Sequence, residues 1–282
     1  MSTSSGFPLL KLPFLALETC VNLMNPDIML GLSLQSKVFK SHLSIVKWKI
    51  ECFEWMISQY QIGVVVNSNF GRYCFEIGTQ AEYERSLHRE IMKTSASERR
   101  TINLNGTTVS LAKRKEFNGT GWYLIPEKLE DSNKDIKFKS QLDILDNLTK
   151  LFMSFVRCSK FKLNYILETN LLSKDFFVWQ YLNGNPIDLK IDVIFENALV
   201  MTPDDLKFLL DSLTFGCLDS RVRVSGPYFK YPRYLRARES IILWGNTWIE
   251  LINLNCPIIR LFDALVDSEE IKLILKNWIH GA

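Results

Sequence analysis

The spacing of apolar residues changes near Ser44, from the period of an α-helix to the period of a β-strand. Before this point, apolar side chains recur every three or four residues, as on one face of a helix: Phe14, Leu17, Val21 and Met24. From residue 47 onward, apolar residues alternate with charged ones, which is typical of a strand: Trp48, Ile50 and Cys52. The chain is therefore predicted to begin with a helical unit over residues 1–43 and to continue as a β-rich region.

Three helices are predicted within residues 1–43. Pro13 suits the first turn of a helix, because its missing N–H would have no partner there. The run Asn25-Pro26-Asp27 is typical of an N-cap followed by a first helical turn. A third helix is predicted over residues 36–43, with three side chains on one side: Val38, Phe39 and His42. So small and apolar a unit buries little of its own surface, and we expect it to dock onto a partner.

The region 44–126 is predicted to be rich in strands. Strands are expected at the β-branched run 63–66 and at the alternating run 72–77. Asn105-Gly106 lies between two alternating runs, which indicates a hairpin with a tight turn. Residues 79–100 are polar and predict a helix or a loop, whereas the charge-rich residues 127–139 predict a linker.

The C-terminal region, residues 140–282, alternates between helix and strand signals. A helix is predicted over residues 142–155, and N-cap residues Thr202 and Ser268 predict two more. Strands are predicted at 189–195 and 257–262, and they should lie parallel in one sheet because helices connect them. Residues 197–200 also match residues 263–266, which predicts an α/β unit similar to a leucine-rich repeat. The overall fold class is therefore expected to be α+β.

The composition points away from several classes of function. Among 282 residues, 34 are basic and 31 acidic, and a net charge of +3 does not predict a nucleic-acid-binding protein. No apolar run is long enough to predict a membrane span. An apolar stretch at residues 7–17 differs from a signal peptide because Lys11 interrupts it. We therefore expect a cytoplasmic or nuclear protein with no membrane association.

No catalytic or metal-binding motif is recognisable in the sequence. The six cysteines are widely separated and form no CxxC pair, so free thiols are expected rather than a zinc site. None of the three histidines lies in a known catalytic motif, and no glycine-rich phosphate loop occurs. The acidic pairs at 204–205 and 269–270 are expected to stabilise helix starts. The protein is therefore predicted to be non-catalytic, without metal or cofactor.

One segment, residues 221–238, combines six basic residues with four aromatic ones and contains no acid. Three interpretations remain open from the residues alone. The segment is a solvated loop with Tyr231 and Tyr234 packed inward, or it holds an acidic protein partner, or it binds phosphates and stacks bases as an RNA-binding surface. Because Tyr and Arg dominate interface energetics, a target-binding face is predicted there, with three residues as the contacts: Arg233, Tyr234 and Arg236.

The N-terminal residues form one pattern: Leu12-Pro13, the spacing of the following apolar residues, and the segments 24–26, 32–34 and 36–37. This pattern resembles an F-box of the large nematode F-box families. Near the C-terminus, segments 240–244, 248–251, 254–256 and 275–281 resemble the F-box-associated type 2 domain of the same families. Residues 44–139 carry no motif of these families.

The resemblance implies a substrate-recognition subunit of an SCF-type cullin–RING ubiquitin ligase. The F-box would bind a Skp-family adaptor, and through it a cullin, while the C-terminal domain would hold a target protein. The residues expected to divide between the F-box core and the adaptor interface are Phe7, Pro8, Leu9, Leu12, Pro13, Leu17, Val21 and Leu32. The alternatives are a protein-interaction module without a ligase role and an RNA- or phosphate-binding protein that uses residues 221–238.

Overall fold

The computed structural model describes most of the chain. The described residues are 9–58, 61–69, 71–79, 82, 99–116, 119–127, 134–166, 171–192, 199–225, 229–245, 248–263 and 268–279. They form two compact units: the first comprises residues of 1–53 and 61–159, and the second residues of 54–60 and 160–282. The fold combines helices with extensive β-sheet, in agreement with the predicted α+β class.

The first unit begins with a 3-10 turn at Leu9–Lys11 and three helices: α1 (Phe14–Asn22), α2 (Pro26–Gln35) and α3 (Lys37–Val46). All three predicted starts are confirmed, and α3 extends three residues beyond its predicted end at Leu43. Ser36 caps α3 by accepting a hydrogen bond from the Phe39 amide. Asn25 is also in the N-cap position, but its side chain instead accepts a hydrogen bond from the Tyr73 hydroxyl, at 3.1 Å.

Strands follow from residue 48 onward: β1 (Trp48–Ile50), β2 (Cys52–Ser58), β3 (Ile62–Ser68), β4 (Gly71–Ile77), β5 (Arg99–Leu104), β6 (Thr107–Glu116) and β7 (Gly119–Pro126). In the first unit the sheet order is β3-β4-β7-β6-β5, and only the pair β4–β7 is parallel. The predicted hairpin joins β5 to β6. Asn105 and Gly106 both have positive φ, as a tight turn with Asn-Gly requires.

Helix α4 (Lys134–Phe155) contributes to the core of the first unit, and β8 (Val156–Cys158) follows it and pairs in parallel with β1. Phe152 of α4 is buried and contacts Phe53 and Phe75 edge to face, with ring centroids 5.9 and 5.1 Å away. Gln141 is also buried, and its amide donates to the Ile77 carbonyl at 3.0 Å. The Phe152 ring is buried against other aromatic rings, and the buried Gln141 amide has a hydrogen-bond partner. Both contacts explain why this long helix belongs to the first unit.

The second unit contains a sheet of parallel strands. Its elements after β2 are β9 (Phe161–Ile166), a 3-10 helix (Phe177–Tyr181), β10 (Ile187–Ile191), β11 (Leu199–Met201), α5 (Pro203–Ser212), β12 (Phe215–Ser220), β13 (Val222–Val224), β14 (Leu235–Trp244), a 3-10 helix (Leu251–Asn253), β15 (Leu254–Asn255), β16 (Ile258–Phe262) and α6 (Ser268–Ile279). The main order is β2-β9-β10-β12-β14-β16, and each pair from β9 to β16 is parallel. The predicted parallel arrangement of the strands near 189 and 258 is confirmed.

Equivalent residues face one another across all five parallel strands. One ladder is Leu163, Leu189, Leu218, Ile241 and Ile259. Its first four members are buried, but Ile259 is 41% exposed, because no described strand lies beyond β16. The adjacent ladder points to the opposite, more open side of the sheet, since successive residues alternate along a strand: Asn164, Lys190, Asp219, Ile242 and Arg260.

The division of the chain differs from the predicted one in two respects. The predicted linker at 127–139 is helical from Lys134 onward, because the charged start of α4 leads into an apolar face that packs on the sheet of the first unit. The predicted boundary at 127–139 falls inside the first unit, and residues 54–60 of the predicted middle region belong to the second. The local residue pattern of a strand does not show which sheet the strand joins. The sequence therefore did not show that residues 54–60 belong to the second unit.

Candidate functional site

The open side of the parallel sheet carries a stack of planar groups near the carboxyl ends of three strands. The rings of Trp244 and Phe262 are stacked, with centroids 4.0 Å apart and planes 14° apart. The guanidinium carbon of Arg221 lies 3.9 Å from the Trp244 ring centroid, in a cation–π arrangement. The Arg221 Nε is also 3.6 Å from an Asp192 carboxylate oxygen. Arginine, tryptophan and phenylalanine therefore form one continuous stack that ends at β16, the last strand.

Asp219 contacts the Trp244 member of this stack. The Trp244 indole donates a hydrogen bond to its carboxylate at 3.2 Å, which orients the ring. Burial raises the pKa of Asp219, and the hydrogen bond from Trp244 opposes part of that rise. The carboxylate thus holds a partly buried position on an otherwise open face.

A second polar cluster lies near the amino ends of β9, β10 and β12. Asp188 accepts a hydrogen bond from the Cys217 amide at 3.1 Å and is 3.2 Å from the Lys160 ammonium. Glu239 is 3.7 Å from the same ammonium, and its carboxylate accepts from the Cys217 thiol at 3.3 Å. Gly216 has no side chain, and a Cβ there would collide with the Asp188 carboxylate. The hydrogen bond to Asp188 raises the pKa of Lys160, and burial raises the pKa of the Cys217 thiol. These groups satisfy one another, which favours a structural role.

Among the described strands of the second unit, β16 is the last and the most exposed. Apolar side chains on both of its faces are accessible: Ile258 is 49% exposed, Ile259 41% and Phe262 39%. Arg260, in the centre of the strand, is exposed and has no ion-pair partner among the described residues. On one side β16 pairs with β14, and on the other side no described strand follows. An apolar edge without a neighbouring strand is a template for strand addition.

The three predicted target contacts lie together at the start of β14. Arg233 forms an ion pair with Asp211 at 3.2 Å, and Tyr234 and Arg236 are exposed. Tyr231 is buried, and its hydroxyl donates to the same Asp211 at 2.8 Å. Burial, together with this carboxylate, raises the pKa of Tyr231 to about 12. The inward packing considered for both tyrosines therefore holds for Tyr231 and is wrong for Tyr234.

The predicted adaptor-binding residues occupy different environments. Leu17 and Val21 are buried in α1, whereas Pro13 is exposed at its N-cap. Leu9, Leu12 and Leu32 are half-buried. Phe7 and Pro8 lie outside the described residues. Two residues placed by periodicity on inner faces, Phe14 and Val38, are in fact more than half exposed, since the three short helices cover only part of each other's surface.

A set of exposed apolar residues on and next to these helices was not predicted from the sequence. They are Phe14, Leu15, Leu23, Ile28, Val38 and Ile45. A pocket of about 410 Å³ lies beside α1, and the Glu18–Lys49 ion pair, at 3.1 Å, forms part of its wall together with Asn22 and Leu23. The exposure of Leu15 and Leu23 could have been suspected from the sequence, because both fall outside the predicted apolar stripe of α1.

The stack and the exposed edge in the second unit were not predicted from the sequence either. Trp244 and Phe262 lie in strands 18 residues apart in sequence, and only the register of β14 with β16 brings them together. The available signal was the run at 258–262, which has one charged residue and is apolar on both faces. Such a run predicts a strand covered on both faces. Among the described strands it is instead the last one of the sheet.

The structure places no group of three or more potential metal ligands together within the described part of the chain. None of the six cysteines forms a disulfide. Among the helices described, none has both the length and the apolar character needed to cross a membrane. No family model, no curated protein and no solved structure matches this chain.

Proposed function

We propose that this protein is a non-catalytic substrate-recognition subunit of an SCF-type cullin–RING ubiquitin ligase. In this proposal helices α1–α3 form an F-box that binds a Skp-family adaptor, and the second unit, a leucine-rich-repeat-like F-box-associated domain, holds the target. The sequence resemblance at both ends of the chain motivates the proposal. Catalysis of ubiquitin transfer would belong to other subunits, and this chain would raise the local concentration of the target.

The observation that carries the proposal is the exposed apolar surface of α1–α3. Six large apolar side chains on these helices are 47–74% exposed, although the segment is only a few dozen residues long. Scattered exposed apolar residues are normal, but such a density on one small helical unit is typical of a surface that a partner covers. The proposal assigns that surface to the adaptor.

The second unit supports the target-binding part of the proposal. Its parallel strands recur 18–29 residues apart, as judged from the facing residues Leu163, Leu189, Leu218, Ile241 and Ile259. Recurring strands in this range are typical of leucine-rich-repeat-like arrays, whose open strand side is available for binding. Arg233, Tyr234 and Arg236 remain proposed target contacts.

The test is binding of the purified chain to a Skp-family adaptor. Leu15 is 74% exposed, so Leu15→Asp should leave the free energy of unfolding within about 0.5 kcal/mol of its original value. It should weaken adaptor binding at least about tenfold, as expected for an interface residue with a substantial role. Val200→Asp is the matched control, because Val200 is an exposed apolar residue of the second unit.

Two results would refute the proposal. One is the absence of adaptor binding by the unmodified chain. The other is undiminished binding by Leu15→Asp and by a double variant, Leu12→Ala with Pro13→Ala, that alters the two residues before α1.

A further inference from the structure

We propose that strand β16 is a docking edge that accepts an extended segment of a partner protein as one additional strand, and that this segment carries an acidic residue opposite Arg260 between two apolar residues. This docking edge would serve the target-binding role proposed above. Only the statement that the partner is a ligase target rests on that proposed function. The edge itself is argued from the geometry of the second unit.

The register of β16 with β14 shows which β16 side chains lie on the core side of the sheet and which lie on the open side. Ile259 and Leu261 pair with Ile241 and Leu243, which are fully buried, so they belong to the core side of the sheet. Ile258, Arg260 and Phe262 lie on the open side. A strand added beside β16 would cover Ile259 and Leu261 with its own core-side residues. Those two residues of the partner are therefore expected to be apolar.

The opposite end of the same array indicates how such an edge is covered. Strand β2 lies beside β9, the first parallel strand, and its Trp55 ring stacks on Phe161 with centroids 5.8 Å apart. Glu54, between Phe53 and Trp55, accepts a hydrogen bond from Asn164. An extended segment with an acid between two aromatic residues thus covers β9.

Arg260 is the counterpart of Asn164 at the other end of the ladder. The ladder runs Asn164, Lys190, Asp219, Ile242 and Arg260. Its first member contacts the Glu54 carboxylate, whereas Arg260 is exposed and has no ion-pair partner among the described residues. Opposite charges directly across a strand pair are stabilising. Charge complementarity therefore selects an aspartate or glutamate at this position of the partner.

Phe262 defines a third position of the partner. It ends the Arg221–Trp244–Phe262 stack, and its outer face has no stacked ring among the described residues. A planar side chain of the added strand opposite Phe262 would extend the stack by one member. Aromatic cross-strand pairs are among the more favourable ones. The partner segment is thus expected to place an aromatic residue two positions from its acid.

A second copy of this chain is a poorer occupant of the edge. Two β16 strands paired antiparallel around a twofold axis over their full length would place Arg260 directly opposite Arg260. Like charges in that position are destabilising. Any shift of register that separates the two arginines reduces the number of paired residues, and the strand has only five. A partner with a complementary acid meets neither difficulty.

The test uses the full chain and a fluorescent peptide centred on Phe-Val-Glu-Val-Phe, flanked by serine and threonine. The central sequence is the same in both directions, so it presents the expected side chains in a parallel or an antiparallel added strand. A second peptide has lysine in place of glutamate. Three proteins are compared: the unmodified chain, Arg260→Glu, and the control Arg223→Glu, because Arg223 is an exposed arginine between two valines in β13.

We expect the unmodified chain and Arg223→Glu to prefer the glutamate peptide. Arg260→Glu should bind that peptide at least about fivefold more weakly and should reverse the preference in favour of the lysine peptide, as expected for a direct cross-strand charge pair. Because a reversal requires a folded edge, unfolding of the variant cannot mimic it. The intrinsic fluorescence of both variants should match that of the unmodified chain.

Three outcomes would overturn the proposal. They are failure of the glutamate peptide to bind the unmodified chain, equal affinity of Arg260→Glu for both peptides, and a concentration-dependent dimer whose formation excludes the peptide, which would assign the edge to a second copy. Adaptor binding is measured in parallel on the same proteins. Loss of the adaptor interaction alone would refute the ligase role and leave the docking edge intact, and the reverse result would refute only the docking edge.

Discussion

Strands β9 and β16 are the first and last parallel strands of the second unit, and they meet opposite environments. β9 is covered by β2, whose Trp55 and Ile57 are completely buried. β16 has no described strand beyond it, and Ile258, Ile259 and Phe262 remain about 40–50% exposed. Strand β9 (Phe161–Ile166) alternates apolar and polar residues, whereas β16 (Ile258–Phe262) is apolar on both faces, so the more apolar strand is the exposed one. The difference teaches that the residue pattern of a strand does not determine whether it is covered, and that the neighbouring segment does.

The largest expected contrast between the two ends is in their aromatic residues. Trp55→Ala should lower the free energy of unfolding by about 3–5 kcal/mol, because it leaves a cavity against Phe161. Phe262→Ala removes a partly exposed ring stacked on Trp244 and should cost only about 1 kcal/mol. Urea unfolding measures both values. Equal losses would show that the two ends are covered to the same extent.

The polar residues of the two ends should differ next. Glu54→Ala leaves the half-buried Asn164 amide without its carboxylate and should cost about 1–2 kcal/mol. Glu54→Gln keeps an acceptor and should recover most of that loss. Arg260→Ala, at the open end, should change the free energy of unfolding by less than about 0.5 kcal/mol. A large loss for Arg260→Ala would mean that the chain itself provides a partner for this residue.

A smaller contrast is expected within the core-side ladder. Ile241→Val removes one methylene from a fully buried position and should cost about 1 kcal/mol. The same change at Ile259, which is 41% exposed and faces Ile241, should cost less than about 0.5 kcal/mol. The comparison is made by chemical denaturation of both variants under one set of conditions. If the loss at Ile259 matched that at Ile241, the open edge would have to be covered in solution.

The smallest effect concerns the pH dependence near the open end. Burial raises the pKa of Asp219, so the folded state binds its proton more tightly than the unfolded state does. Its contribution to stability is therefore present below the unfolded pKa, about 3.9, and is lost as the pH rises through the folded pKa. Asp219→Asn removes this dependence and keeps an acceptor for the Trp244 indole.

The measurement compares unfolding of Asp219→Asn and the unmodified chain at pH 4 and pH 7. The variant should gain stability relative to the unmodified chain between the lower and the higher pH. The opposite trend would indicate that ion pairing with Lys190 and Arg221, rather than burial, dominates the environment of this carboxylate.

Local signals in the sequence predicted those features that depend on neighbouring residues. Ser36 and Thr202 were expected to begin helices, and each accepts a hydrogen bond from the backbone amide three residues later. Asn105-Gly106 was expected to turn a hairpin, and both residues adopt the positive φ of that turn. These features are predictable because a cap or a tight turn is satisfied within about four residues.

The candidate sites were predicted less completely, because they depend on which surfaces meet. Arg233, Tyr234 and Arg236 lie together as their sequence proximity requires, but the pairing of Arg233 and Tyr231 with Asp211 depends on the fold of the second unit. The exposure of Phe14 and Val38 follows from the limited packing of three short helices. Periodicity identifies an apolar face, yet it does not say whether the chain itself covers that face.

The sequence by itself determined the helix starts and the hairpin turn. It also predicted the parallel direction of strands β10 and β16, although α5 is the only α-helix described between them. Only the tertiary structure decided that residues 54–60 join the second unit, that residues 134–139 belong to a helix rather than a linker, and that β16 is left at an open edge. The physical reason is the range of the interactions. Caps, turns and periodicity act over a few residues, whereas strand order is set by burial between segments far apart in the chain.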